Sequence, residues 1–400
     1  MSEMRILLHC DEYAPRHVPC AIRMKVFHDV FAEKGNKVVV LAGKNSLDGG
    51  NERSWEAVYC PTIPLKKKTS FYRVANQLSY AFSSLIKSFS TGKIDVVITT
   101  SPPVLISMFG WLIAKLKRAK LIYDVRDIWP DVALEMGSFA EDSLYCMLFR
   151  YIANFMFKHA DIVTTVSPGK IKKIQDKLPE EQKDKVWLVE NGLDENFVKQ
   201  EEDLNVIDQY HLKEKFTCVY VGNIGLAQGL VHLLDLAESV DPEKYQFLLF
   251  GNGAEKQALE LETKKRELSN VCFYGNVNSN AIYSILRNAS MTYIPLVNAN
   301  LKDSIPTKTY EAIGAGCPIL MVAEGDATKI VEESHFGKIL SPTHIDQLPE
   351  FFQSFVNEYD EIMTQRNFAR EYVLRECSRQ KISAEFENRL LNFYKWRKNG

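Results

Sequence analysis

Short apolar runs rich in β-branched residues alternate with longer helical patterns along the whole of this 400-residue chain. Continuous apolar strands separated by helices are typical of parallel sheets covered by helices on both faces. Six candidate strands come first and five follow, at 5–9, 37–42, 95–100, 120–125, 161–166 and 186–190, then at 216–222, 245–251, 271–275, 291–296 and 318–322. The pattern predicts an α/β protein with two doubly wound, Rossmann-like parallel-sheet domains.

The boundary between the two series is predicted near 191–203, where the β–α alternation gives way to a charged connection. We therefore expect an N-terminal domain over 1–195, a C-terminal domain over 196–380 and a final amphipathic helix over 381–400 that packs back on the N-terminal domain. Ligands of open α/β sheets bind at the carboxyl ends of the strands. With two such domains, the expected site is the cleft between them.

Composition narrows the class of protein. Hydrophobic residues make up 46% of the chain and charged residues 25%, the balance of a soluble globular protein, and the net charge of −2 gives no nucleic-acid signature. The eight cysteines include no C-x-x-C pair, so neither a zinc site nor a disulfide framework is indicated. The longest apolar run, 104–114, is too short to span a bilayer, and the N-terminal run is too short for a signal peptide. We expect a cytoplasmic protein without its own membrane anchor.

The segment 303–318, DSIPTKTYEAIGAGCP, has the pattern of a helix start that binds a phosphate. Pro306 is tolerated in the first turn of a helix, and Ser304 or Thr307 is the expected N-cap. The free N–H groups and the positive end of the helix dipole suit an anion, and Lys308 adds a full positive charge. The alternative is an ordinary capped helix.

Glu311 follows Lys308 by three positions, on roughly the same face of the predicted helix. Its carboxylate can accept two hydrogen bonds from vicinal hydroxyls. A phosphate next to a sugar diol is the chemistry of a nucleotide-sugar. The alternative here is a surface Lys–Glu pair without a ligand.

Two further loops follow predicted strands of the second series and are rich in glycine. Residues 222–229 read GNIGLAQG and residues 251–255 read GNGAE. Glycine lets backbone amides approach a ligand closely, although most glycines at strand ends only serve turns. All three loops should lie on the same side of one sheet, which favours a shared ligand site. Its candidate glycines are Gly222, Gly225, Gly229, Gly251 and Gly253.

Taken together, YVGNIGLAQGL, FGNGAEK and IPTKTYEAIGAGCPIL resemble the donor-binding half of retaining glycosyltransferases of family 4, which have the GT-B fold. In the first half, TSPPVL (100–105), YDVRDIWPD (123–131) and ENGLD (190–194) stand in the order expected for that family. The likeness is greatest to the branch that builds bacterial O-antigen and capsule polysaccharides with aminosugars. It covers essentially the whole chain.

The resemblance implies roles for individual residues. Two acids bracket the donor in this family, so Asp303 or nearby main chain is expected to contact the sugar and Glu311 the ribose, with Asp replacing the usual first Glu. Where many members carry Arg and Lys to bind the diphosphate, this chain has Asn223 and Gln228, which leaves Lys308 as the main cation. The expected donor-binding residues are Gly222, Asn223, Gly225, Gln228, Gly251, Gly253, Asp303, Thr307, Lys308 and Glu311.

The acceptor half is expected to use Arg126 and Asp127, which follow a predicted strand. Arg126 suits a phosphate or carboxylate, and Asp127 could receive the acceptor hydroxyl or stabilise positive charge at the anomeric carbon. The alternative is a local ion pair of Arg126 with Asp124 or Asp127. Arg23 is expected to close over the diphosphate. The predicted catalytic residues are Asp127, Arg126 and Lys308, with no metal or other cofactor.

The stretch from 57 to 123 carries ten basic residues and a single acid, Asp95. Cations interleaved with aromatics are typical of surfaces that bind anionic membranes. We predict a membrane-binding face, peripheral to the inner side of the cell membrane, formed by Lys66, Lys67, Lys68, Phe71 and Arg73.

The sequence therefore predicts a retaining, metal-independent glycosyltransferase that moves a sugar from a UDP-sugar to a polyprenyl-diphosphate-linked saccharide. The predicted sugar is an N-acetylated or deoxy aminosugar. Two alternatives stay open at this point. One is an isomerase resembling UDP-N-acetylglucosamine 2-epimerase, which shares the two-domain fold, and the other is a nucleotide-sugar binder without catalysis.

Overall fold

The computed structural model describes residues 3–16, 18–47, 56–65, 70–135, 143–298 and 301–399. The chain forms two compact units, Met1–Asn191 with Arg379–Gly400, and Gly192–Ser378. The division between them falls after Asn191, within the charged connection that the sequence indicated. The chain returns to the first unit at Arg379, where the last helix begins.

The first unit contains one parallel sheet of seven strands, in the order β3-β2-β1-β4-β5-β6-β7. Strand β1 lies between β2 and β4, with Leu7 opposite Val39 and Val97. The strands are β1 (Arg5–His9), β2 (Lys37–Gly43), β3 (Ala57–Cys60), β4 (Val96–Ser101), β5 (Lys120–Val125), β6 (Ile162–Thr165) and β7 (Val186–Leu188).

Helices cover both faces of this sheet. Two separate apolar clusters result, as the near-continuous apolar strands predict. The helices of this unit are α1 (Pro19–Glu33), α2 (Ser70–Ser88), α3 (Val104–Lys117), α4 (Asp131–Glu135), α5 (Leu144–His159), α6 (Pro168–Gln175) and, at the end of the chain, α16 (Arg379–Asn399).

The final helix α16 packs against α1, as expected for the last helix. The ring of Phe386 lies 5.5 Å from that of Phe27 and 5.9 Å from that of Phe31. Trp187 of β7 meets both Phe386 and Phe393 edge-on. These aromatic contacts explain why a segment that follows the second unit completes the core of the first.

The second unit contains a parallel sheet of six strands, in the order β10-β9-β8-β11-β12-β13. Its strands are β8 (Phe216–Val221), β9 (Tyr245–Phe250), β10 (Val271–Tyr274), β11 (Met291–Pro295), β12 (Ile319–Val322) and β13 (Gly337–Leu340). Its helices are α7 (Leu204–Gln209), α8 (Val231–Glu238), α9 (Lys256–Lys265), α10 (Ser279–Asn288), α11 (Thr307–Ala315), α12 (Asp326–Ser334), α13 (Leu348–Asn357), α14 (Tyr359–Thr364) and α15 (Arg366–Glu376).

Two strands, β3 and β13, were not predicted from the sequence. Each lies at the edge of its sheet, is four residues long and is only partly buried. An edge strand needs no continuous apolar run because one side of it faces solvent. Among the described residues, no helix is long and apolar enough to cross a membrane.

Candidate active site

Three loops of the second unit meet at the carboxyl edge of its sheet. Strands β9, β8 and β11 are neighbours in the sheet and all run the same way. The loops that follow them are 251–255, 222–230 and, on either side of 299–300, which lie outside the described residues, 296–298 and 301–306; the last of these leads into α11. The predicted juxtaposition of the three segments is therefore present.

The two glycine-rich loops lie against each other, backbone to backbone. The N–H of Gly222 donates to the carbonyl of Phe250 at 2.9 Å, and the N–H of Ile224 donates to that of Asn252 at 3.0 Å. A Cβ on Gly251 would lie 1.9 Å from the oxygen of Gly222. Gly251 is thus needed for the close approach of the two loops, and it has a φ of +145° that disfavours other residues.

Gly253 serves the same purpose one step further along. A Cβ there would lie 1.9 Å from the carbonyl oxygen of Ile224, which itself accepts the N–H of Glu255 at 3.1 Å. The expectation from sequence was that Gly251 and Gly253 admit a ligand. In the structure, both glycines allow the backbones of loops 222–230 and 251–255 to pack directly against each other.

Lys308 lies at the centre of this edge. Its Nζ is 4.1 Å from the centroid of the Tyr220 ring, a cation–π contact. A Cβ on Gly222 would lie 3.2 Å from the same Nζ, so glycine leaves room for the ammonium group beside the loop. The hydroxyl of Tyr220 donates to the carbonyl of Asn223 at 2.6 Å, which fixes the ring and the loop together.

The pKa of Lys308 is lowered from 10.5 to about 8, because burial disfavours the ammonium form. The Glu311 carboxylate, one turn further along α11, opposes this shift. The pKa stays low because the Glu311 carboxylate does not fully offset the cost of burying the ammonium. A second negative charge from a ligand would therefore stabilise the ammonium strongly. The position therefore suits a phosphate group of a ligand.

The start of α11 differs in detail from the expectation. The helix begins at Thr307 and its N-cap residue is Pro306, so the prediction that Ser304 or Thr307 is the N-cap residue was wrong. Within the first turn, the N–H of Thr309 donates to the carbonyl of Pro306 at 3.0 Å, whereas the N–H groups of Thr307 and Lys308 precede the regular hydrogen bonding of the helix. They and the dipole add to the positive field of Lys308.

The side chain of Gln228 holds its own loop. Its Oε1 accepts the N–H of Gly225 at 3.2 Å, which stabilises the short turn Leu226–Gln228. Asn223 is exposed at the same turn, and a Cβ on Gly225 would lie 2.6 Å from its Nδ2. No cation replaces the missing Arg and Lys at these two positions. The ammonium group of Lys256, also at these loops, donates to the carbonyls of Gly251 at 3.2 Å and Tyr274 at 2.6 Å, so Lys308 is the cation that we assign to a ligand.

Asp303 precedes α11 in a turn that is tied to α12. The carbonyl of Lys302 accepts the N–H of Asp326 at 2.7 Å, and a Cβ on Gly325 would lie 2.1 Å from that carbonyl oxygen. Asp303 is buried, whereas Thr307 and Glu311 are half-buried. Thr307 and Glu311, like Lys308, therefore keep some exposure, whereas Asp303 keeps little.

In the first unit, Arg126 follows β5 at the carboxyl edge of the sheet. Its Nε donates to Thr100 Oγ1 at 3.1 Å, its Nη2 donates to the carbonyl of Pro102, and its backbone N–H donates to Ser101. Thr100 in turn donates to Asp124 at 3.1 Å. The guanidinium is therefore held rigidly at the end of β4, beside the half-buried Asp127.

Arg23 does not serve the predicted role. Its side chain is fully buried, and it pairs with Asp124 at 2.9 and 3.3 Å. The remaining N–H groups donate to Val189 and Glu190 carbonyls and to Asn191 Oδ1. All five donors are used inside the first unit, so Arg23 is not available to a diphosphate. It instead fixes the end of β7 to the core.

One acid that the sequence analysis missed lies at the same edge as Arg126. Asp11 comes two residues after β1, and burial raises its pKa to about 7, with a further contribution from Glu12 and opposition from Arg126. A carboxyl group that titrates near neutral pH is typical of functional sites. The sequence does show that Asp11 follows a predicted strand. The same position after a strand was the reason for selecting Asp127.

One group of residues among those described has the spacing of metal ligands: His28, Asp29 and Glu56. It belongs to the first unit, and the ammonium of Lys25 bonds to Asp29 and lies 3.3 Å from Glu56. A lysine thus already supplies positive charge to these carboxylates. Of the predicted membrane-binding residues, Lys66, Lys67 and Lys68 and the side chain of Phe71 lie outside the described residues, and Arg73 is exposed on α2.

Comparisons with known proteins find similarity to glycosyltransferases. Residues 176–372 match the family described as glycosyl transferases group 1. The chain is 23% identical over 309 residues to the probable glycosyltransferase WbjE of Pseudomonas aeruginosa, covering 74% of this chain and 76% of WbjE. It is 21% identical over 276 residues to the putative colanic acid biosynthesis glycosyl transferase WcaI of Escherichia coli strain K12, covering 66% and 67%.

Solved structures show the same fold. The Anabaena protein Alr3699/HepE in complex with UDP superposes with a TM-score of 0.73 at 14% identity, over 97% of this chain and 100% of that one. WaaG, a glycosyltransferase involved in lipopolysaccharide biosynthesis, gives 0.71 at 14% identity, over 95% and 99%. The fold is therefore GT-B, as the sequence predicted, and the matches together support a glycosyltransferase.

Proposed function

We propose that this chain, whose residues 176–372 match the group 1 glycosyl transferases, is a retaining glycosyltransferase. Its donor is a UDP-sugar, in our proposal one that carries an N-acetylated or deoxy aminosugar. Its acceptor is a saccharide linked to polyprenyl diphosphate, in the synthesis of a bacterial surface polysaccharide. It works without a metal ion at the inner face of the cell membrane.

The observation that carries the proposal is the position of Lys308. Its partly desolvated ammonium lies over Tyr220 and beside Gly222, at the start of α11. A diphosphate here would meet one full positive charge and the positive end of a helix. The complexes of HepE with UDP and with UDP-glucose support a nucleotide-sugar as the donor.

The proposed reaction breaks the bond between the anomeric carbon and the diphosphate oxygen and forms one to the acceptor oxygen on the same face of the sugar. The acceptor proton passes to an oxygen of the departing diphosphate, so UDP leaves with it. Lys308 and the first turn of α11 stabilise the negative charge that develops on the leaving group. Such preorganised stabilisation is worth about 100- to 1000-fold in rate.

The acceptor is assigned to the first unit. Arg126, held by Thr100 and Pro102, is proposed to bind its phosphate, and Asp127 its hydroxyl. The names of WbjE, WcaI and WaaG support a surface polysaccharide as the product. Membrane association through the segment 66–73, centred on Lys66, Lys67 and Lys68, is part of the same proposal.

The test is to incubate the purified protein with a panel of UDP-sugars, with and without a polyprenyl-diphosphate-linked saccharide, in EDTA. UDP release that requires the acceptor is the expected result. A new UDP-sugar formed without acceptor would indicate an isomerase instead, and binding without turnover would indicate a non-catalytic binder. Loss of turnover in EDTA that added Mg²⁺ restores would overturn metal independence.

A further inference from the structure

Helix α5 exposes an apolar stripe that none of the described residues covers. Leu144, Met147, Leu148 and Tyr151 follow one another at helical spacing and are 83%, 55%, 51% and 69% exposed. The opposite side of α5, which includes Phe149, packs into the core of the first unit. A helix with apolar residues on two opposite sides can bury only one of them in the core of its own domain, so the other side is available to a partner.

The exposed stripe is continued by the two neighbouring helices. Trp111 of α3 meets Phe155 of α5 edge-on at 5.1 Å, and Phe109 of α3 meets Phe82 of α2 at 4.9 Å. We call the outer surface of these packed helices the three-helix face. Its exposed apolar members are Phe82 and Ile86 of α2, Phe89 just after α2, Leu116 of α3, and Leu144, Met147, Leu148 and Tyr151 of α5.

Every charge on these three helices is positive, because α2, α3 and α5 contain no Asp or Glu. The single acid between 57 and 123, Asp95, is buried and pairs with Arg5 at 3.0 Å. The exposed cations at or near the three-helix face are Arg73, Lys87, Lys93, Lys115, Arg118 and Lys158. Arg73 lies close enough to the start of α5 to oppose the burial that raises the pKa of Tyr145.

We propose that the three-helix face docks on an anionic lipid bilayer, with the α5 stripe inserted at the boundary between headgroups and acyl chains. Apolar side chains surrounded by lysine and arginine are the pattern of an interfacial helix, and each basic residue near anionic headgroups contributes about 1 kcal/mol. A second copy of the chain is a poorer occupant, since a two-fold interface would bring like charges together.

This inference extends the proposed function by naming the surface that would bring the enzyme to a lipid-linked acceptor. The first half of α5 carries the stripe, and α5 begins on the carboxyl side of the sheet, as does the loop with Arg126. The three-helix face is a second contact beside the proposed segment 66–73, which continues into α2. Membrane binding on this account does not require catalysis.

The test compares flotation of the purified full-length protein with vesicles of phosphatidylglycerol and phosphatidylcholine, or of phosphatidylcholine alone. The variant is Leu144→Ser with Leu148→Ser, and its matched control is Leu204→Ser with Leu261→Ser, two leucines of the second unit that are 70% and 61% exposed. We expect binding only to the anionic vesicles and weaker binding in high salt. The variant should bind at least about tenfold more weakly, and the control should bind like wild type.

Circular dichroism and UDP binding, measured on all three proteins, show whether the fold and the donor site are intact. No wild-type binding to anionic vesicles at low salt, or equal loss in the control, would overturn the membrane inference while leaving the proposed transfer untouched. A dimer that the Leu144→Ser, Leu148→Ser variant converts to a monomer, without vesicle binding, would also overturn it. Vesicle binding by a protein that releases no UDP would contradict only the proposed function.

Discussion

Replacement of Lys308 by alanine is the perturbation that bears most directly on the donor site. The pKa of Lys308 is about 8 instead of 10.5, so burial destabilises its charged form by about 3 kcal/mol, at 1.36 kcal/mol per pH unit. A phosphate about 4 Å away would attract it by about 4 kcal/mol at an effective dielectric constant of 20. The phosphate therefore supplies the negative charge that the buried ammonium lacks in the free protein. Without that ammonium, kcat/KM of Lys308→Ala should fall about 100- to 1000-fold.

The assay is acceptor-dependent UDP release, with UDP affinity measured separately by calorimetry. The matched control is Lys329→Ala, which removes an exposed lysine of α12 that only pairs with Glu333. Lys308→Ala should keep the wild-type melting temperature or exceed it, because it removes a partly desolvated charge. A value of kcat/KM within about threefold of wild type would refute the reasoning, and so would an equal loss in Lys329→Ala.

Three further results are expected. The donor KM should rise as pH increases through about 8, where Lys308 loses its proton, and Lys308→Arg should remove this rise because arginine stays charged; a pH-independent wild-type KM would contradict it. Arg23→Leu should lower the free energy of unfolding by about 3–5 kcal/mol in urea, because it leaves Asp124 buried without its cation. Gly251→Ala should weaken UDP binding by pushing loop 222–230 aside, whereas Gly275→Ala, with no atom within 4 Å of its new Cβ, should not.

The sequence predicted the parts of the fold that depend on burial. Eleven strands follow from continuous apolar runs, and they include all the interior strands of both sheets and the two edge strands β7 and β10. Strands β3 and β13 were missed because an edge strand such as Gly337–Leu340 is half-buried and includes Lys338. The start of α11 was predicted from Pro306 and Lys308, yet the predicted N-cap residue was wrong, since Pro306 itself occupies that position.

Side-chain roles that depend on distant partners were beyond the sequence. Arg23 was interpreted as a cation of the cleft because nothing local shows that its partner is Asp124, 101 positions away. Tyr220 was read as part of an apolar strand, although its ring lies under Lys308 and its hydroxyl fixes the Asn223 carbonyl. The exposed stripe of α5 was missed because α5 has apolar residues on both its buried and its exposed side, and the sequence pattern does not show which of them pack in the core.

The most direct test of the central claim is the anomeric configuration of the product, read by proton NMR after transfer from an α-linked UDP-sugar to the lipid-linked saccharide. Reaction on one face of the sugar, with the diphosphate accepting the proton near Lys308, predicts an α-linked product and one UDP released per sugar transferred. A β-linked product would contradict the retaining mechanism. Absence of any acceptor-dependent product across the panel of UDP-sugars would contradict the transferase itself.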